Sequence, residues 1–108
     1  MNSEVVRVIH EPGNATRYEA IGVKLPFSDA DGQWLISFPQ FGTTYYFQPG
    51  AHVSFGYLRE KMGKNRLGHD IPEVDLHEMC KIVARIVGGT HAAATDATGR
   101  IPVLRIAR

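Results

Sequence analysis

Apolar residues in the first half of this sequence recur at every second position, and between residues 75 and 88 the spacing changes clearly to steps of three and four. A two-residue period belongs to a strand with one face buried, and a three-to-four-residue period to a helix with an apolar stripe. Several strands followed by a single helix leave no room for β–α alternation, so a doubly wound parallel sheet does not fit. The expected fold class is α+β. A curved antiparallel sheet of about five to six strands, or a small open barrel, packs on one principal helix near 75–88. The 108 residues suffice for a single domain.

Residues Glu4 to His10 are rich in β-branched side chains and read as the first strand. Glu11, Pro12, Gly13 and Asn14 supply turn chemistry after it. A second strand is expected from Tyr18 to about Leu25, with a bulge at Gly22. Trp34, Ile36 and Phe38 share one face of a third strand, which Pro39 ends for want of an amide hydrogen. Thr43 to Gln48 form a fourth, and Pro49–Gly50 turns the chain.

Residues 51–62 are ambiguous. Ala51, Val53, Phe55 and Tyr57 alternate, whereas Phe55, Leu58 and Met62 fit a helix ending at Gly63. A strand over about 51–57 is the expectation, with helix formers after it. Further on, Leu76, Met79, Cys80, Val83, Ile86 and Val87 fall on one helical face. Asp75 and Glu78 have the spacing of a capping box, and Gly88–Gly89 supply a stop. Residues 90–99 read as a loop and Ile101 to Ile106 as a final edge strand.

One cysteine, Cys80, cannot form an internal disulfide, and residues 1–4 carry no signal-peptide pattern. No apolar run is long enough to span a bilayer. A cytoplasmic location without membrane contact is therefore expected. Net charge is +1, too small for a dedicated duplex-binding protein. The bases are nevertheless clustered, with Arg59, Lys61, Lys64 and Arg66 set against Glu60 alone in residues 59–68.

No catalytic signature emerges. His77-x-x-Cys80 comes nearest to metal-ligand spacing, but the two residues fall on different helix faces, and a zinc site needs further ligands. The best group for an enzyme would be His69, Asp70, His77 and Cys80, converging at the helix start. The serines lie outside any nucleophile elbow. Both glycine-rich phosphate-binding patterns are absent. Asp29 with Asp31, and Asp70 with Glu73, are explained by turns and helix entry. No cofactor and no metal is expected.

The positive feature is aromatic density. Eight of the ten aromatic residues lie between Trp34 and Tyr57, directly before the basic stretch. Such rings build a sheet core, bury a partner, or stack single-stranded bases beside cations. With Trp34, Phe38, Tyr45 and Phe47 facing inward, Phe41 and Tyr46 are left for a partner. The expected binding residues are thus Phe41, Tyr46, Arg59, Lys61, Lys64 and Arg66.

Two segments resemble known families. Asp31-Gly-Gln-Trp-Leu-Ile-Ser-Phe-Pro39 is similar to the sheet hairpin of HicB-type antitoxins, in which such a stretch precedes a helix and a later Ile-Pro (here Ile71–Pro72) ends the domain. The resemblance implies an antitoxin-like protein with a tight protein partner. Phe47-x-x-Gly50-x-x-Val53-x-Phe55 resembles a late strand of cold-shock and related small barrels, which implies single-stranded nucleic-acid binding. The leading functional expectation is a non-catalytic binding or regulatory domain acting through protein–protein contact, as a homodimer. The alternatives are a nucleic-acid-binding small barrel, a HicB-like antitoxin, and a small enzyme using the His/Asp/Cys group.

Overall fold

A computed structural model describes residues 4–13, 15–26, 32–91 and 104–107. The elements run in the order β1 (Glu4–His10), β2 (Tyr18–Lys24), β3 (Trp34–Phe38), β4 (Thr43–Phe47), β5 (His52–Val53), α1 (Phe55–Met62), α2 (Glu73–Val87), β6 (Thr90–His91) and β7 (Leu104–Ala107). The first four strands form an antiparallel meander. Strand β7 pairs with β1, so the sheet order is β4-β3-β2-β1-β7. The fold is α+β. The sheet stays open, so the barrel alternative is not adopted.

Alternation in the strands sorts side chains as their period requires. Val6, Val8, Ala20, Trp34, Ile36, Phe38 and Phe47 are buried on one face. They join Leu76, Met79, Cys80, Ile82, Val83 and Ile86 of α2 in one core. Each large apolar side chain so buried contributes about 1.5–3 kcal/mol. Gly22 lies in regular register between Val6 and Ile36, without the expected bulge. Its role is close approach: a Cβ there would stand 2.9 Å from Ile86 Cγ2 and 3.3 Å from Trp34 Cε3. The missing side chain lets α2 settle onto the sheet.

Residues 51–62 resolve differently from the alternation. The strand is only His52–Val53, paired in parallel with Thr90–His91. Ser54 then caps α1, its side-chain oxygen accepting from the Tyr57 amide at 3.1 Å. A cap satisfies one of the orphan donors at a helix start, and this one turns the chain before Phe55 and Tyr57 can continue the strand. There are accordingly two described helices where one principal helix was expected.

The capping box at Asp75 does not form either. Helix α2 already begins at Glu73 after Pro72. Asp75 accepts the Tyr18 hydroxyl at 2.6 Å instead, and Glu78 turns into the interior. Gly88 stops the helix as anticipated, in the left-handed conformation at φ 70°. Of the expected final strand, Leu104 to Ile106 fall within β7, and residues 101–103 lie outside the described residues, as do most of the 90–99 loop and the pair Asp29 and Asp31.

Candidate functional site

The outer face of the sheet, opposite α2, carries an apolar row that crosses four strands. Backbone register aligns Val5 with Val23, Val23 with Leu35, and Leu35 with Tyr46. Among the described residues this row remains open. Val5 and Tyr46 are each 49% exposed, and Val23 and Leu35 are only partly buried. Beside it, Arg7 and Glu19 form an exposed ion pair at 3.0 Å.

A second feature lies where β4 meets α1. Tyr45, Phe47 and Tyr57 stand edge-on to one another, with ring centroids 5.8–6.4 Å apart. The Lys61 ammonium sits over two of these rings, 5.5 Å from the Tyr45 centroid and 5.9 Å from that of Tyr57. Attraction to ring quadrupoles holds a cation in such a place. Charge interaction with Tyr45, and then with Glu60, raises the Lys61 pKa, so the ammonium stays charged. Burial, reinforced by Tyr45, raises the Tyr57 hydroxyl. Adjoining these rings is a cleft of about 310 Å³ lined by Gln33, Tyr45, Tyr46, Phe47, Gln48, Ala51, His52 and Tyr57. The His52 ring is positioned by Thr90, whose Oγ1 lies 2.8 Å from its Nδ1.

The six residues expected to bind a partner come from β4, α1 and the loops beside them, and Arg66 meets Phe41 through its N–H to the Phe41 carbonyl at 2.9 Å. Tyr46 lies on the outer row and also borders the cleft. Phe41 is partly buried against the core, its ring 6.5 Å from that of Tyr18. Lys61 caps the aromatic cluster, and Arg59 lies over Phe55 at 5.2 Å. Lys64 is held by Asp70 at 2.6 Å, and the hydrogen bond and charge of Lys64 lower the Asp70 pKa. Arg66 donates to the Pro39 carbonyl. The basic stretch thus spends much of its charge on intramolecular contacts.

The group proposed for an enzyme is dispersed. His69 is exposed, Asp70 pairs with Lys64, and His77 stacks on Phe55 with centroids 4.3 Å apart. Cys80 is fully buried, which pushes its thiol pKa up to about 12 and leaves little thiolate. Among the described residues, no three His, Cys, Asp or Glu side chains gather in a way that could hold a metal ion.

His77 lies 3.7 Å from Glu73 on the same helix, and a further histidine meets a carboxylate in the interior. His10 Nε2 lies 3.0 Å from Glu78 Oε1 in the sheet–helix interface, and Lys81 reaches both Glu78 oxygens at 3.3 Å. Tyr18 and Asp75 continue this buried polar seam, the rings of His10 and Tyr18 being 5.9 Å apart. Burial, the bond to Asp75 and the charges of Asp75 and Glu78 raise the Tyr18 hydroxyl well above its ordinary range. His10 is 0% exposed and its Nδ1 finds no hydrogen-bond partner among the described residues. None of His10, Tyr18, Asp75 and Glu78 lines the cleft beside Tyr57. Two signals pointed to it. His10 continues the inward alternation of Val6 and Val8, and Glu78 stands one helical turn before buried Ile82.

Comparison with protein-family models, curated proteins and solved structures finds no match.

Proposed function

We propose that this chain is a binding domain that acts through protein–protein contact, pairing the outer face of its sheet with that of a second copy. The observation that carries the reading is the open row Val5–Val23–Leu35–Tyr46. Contiguous apolar surface of this kind marks interaction sites, and sheets pack face to face through such side chains. A second copy suits it because a twofold axis matches each residue of one face to its reciprocal on the other. Arg7 and Glu19, opposite in sign on the same face, can then exchange partners across the axis.

Sedimentation of the purified protein tests this. The expected result is a dimer that Leu35→Lys and Val23→Lys convert to a monomer with unchanged circular dichroism. A strict monomer at the highest soluble concentration overturns the reading, as does a dimer indifferent to both substitutions. Neither Leu35 nor Val23 lines the cleft beside Tyr57.

A further inference from the structure

The cleft between β4 and α1 has walls and a rim of unlike chemistry. Tyr45, Phe47 and Tyr57 give it aromatic walls, and Gln33, Gln48 and His52 give it hydrogen-bonding groups. Its volume of about 310 Å³ lies at the small end of ligand pockets, which span roughly 300–1,000 Å³. That suits one heterocycle rather than a folded segment.

Charge narrows the class. Among the described residues no carboxylate lines the cleft. Lys61 takes one face of Tyr45 and one of Tyr57, and its other neighbour, Glu60, lies 3.5 Å away and is itself mostly exposed. A cationic ligand would meet an ammonium beside the cleft, and a purely apolar one would leave the Gln48 amide unmatched. A planar heterocycle with an anionic tail uses every part. Its face lies on tyrosine, its edge meets side-chain amides that carry both donor and acceptor, and its charge falls towards Lys61.

We propose that this cleft binds a nucleobase bearing phosphate, stacked on Tyr45 or Tyr57 with its edge towards Gln48 and its phosphate towards Lys61. The chemistry is shared by a free nucleotide and by a base turned out of a single strand. Base stacking on aromatic side chains tolerates many sequences, so no single base is singled out. The residues assigned to stacking, edge and phosphate, Tyr45, Gln48, Tyr57 and Lys61, are not members of the Val5–Val23–Leu35–Tyr46 row, so the site can be tested apart from self-association, although Tyr46 borders both.

Titrations of the full chain at low salt, followed by two-dimensional NMR, test the proposal. The probes are adenosine 5′-monophosphate, uridine 5′-monophosphate, a mixed-sequence single-stranded oligonucleotide, glucose and tetramethylammonium. Shifts at Tyr45, Gln48, His52 and Tyr57 on adding a nucleotide or the oligonucleotide support it. Saturation by the mononucleotides assigns a free nucleotide, and saturation by the oligonucleotide alone assigns a strand. Exposed Tyr57→Ala is expected to weaken binding about ten- to hundredfold, the effect of losing one stacked base. Gln48→Glu replaces the amide that meets the base edge with an acceptor-only carboxylate and adds negative charge to the cleft, so it should weaken binding without disturbing the fold, and Lys61→Gln should flatten the salt dependence. No response to any nucleotide or oligonucleotide overturns the proposal. So does binding that ignores both Tyr57→Ala and Gln48→Glu, or a preference for glucose or tetramethylammonium.

Discussion

His10 and Glu78 are 68 positions apart in the chain and meet only because β1 and α2 pack face to face. Removing one partner leaves the other with an unsatisfied polar group in the interior, which costs about 1–3 kcal/mol. Glu78→Ala is therefore expected to lower unfolding free energy by about that amount in urea denaturation. A double-mutant cycle with His10→Phe should show coupling of at least ~0.5 kcal/mol. Strict additivity would mean that the contact contributes nothing. Alkaline pH probes the same interface. Tyr18 is raised from 10.0 and Cys80 from 9.0, so the fold retains protons that the unfolded chain releases. Their stabilisation is complete below pH 9.0 and declines as pH rises through 9.0 and then 10.0. Denaturation at graded alkaline pH should show that decline, and a smaller one in Tyr18→Phe and Cys80→Ala.

At the scale of elements, the sheet was largely legible because period-two alternation acts within a strand and needs no distant partner. Trp34, Ile36 and Phe38 announced β3 and its buried face, and the stripe from Leu76 to Val87 announced α2. What escaped depended on contacts across the fold. The helix nature of residues 55–62 turned on Ser54, a single capping residue whose competition with the alternation of Val53, Phe55 and Tyr57 no periodicity count weighs. Asp75 and Glu78 had capping spacing but were drawn to Tyr18 and His10. Gly22 looked like a bulge because its partners Ile86 and Trp34 are remote in sequence. The cap gives a direct check: Ser54→Ala should destabilise the protein by about 0.5–2 kcal/mol, read as a fall in the urea midpoint. An unchanged midpoint would show that α1 does not need it.

Across the whole molecule, aromatic density was legible in the sequence, but its distribution between core, outer row and cleft was not. Eight rings in one stretch of sequence separate in space because neighbouring strand residues face opposite ways and because α1 folds back over β4. The cationic stretch similarly looked like a free patch until Asp70, Pro39 and the tyrosine faces were seen to engage it. Among the described residues, no helix is long and apolar enough to cross a membrane. If two copies associate as proposed, the thermal midpoint of unfolding should rise with protein concentration, and Leu35→Lys should abolish that rise in differential scanning fluorimetry. A midpoint independent of concentration in the unaltered chain argues against association.

Tyr46 sits at the rim of an edge strand, in the outer row and against the cleft at once. A phenol ring in that position has one set of contacts to divide between two visitors. Occupancy on either side would then alter the affinity of the other by an equal factor, since linkage is reciprocal. One tyrosine would make ligand capture and assembly thermodynamically interdependent.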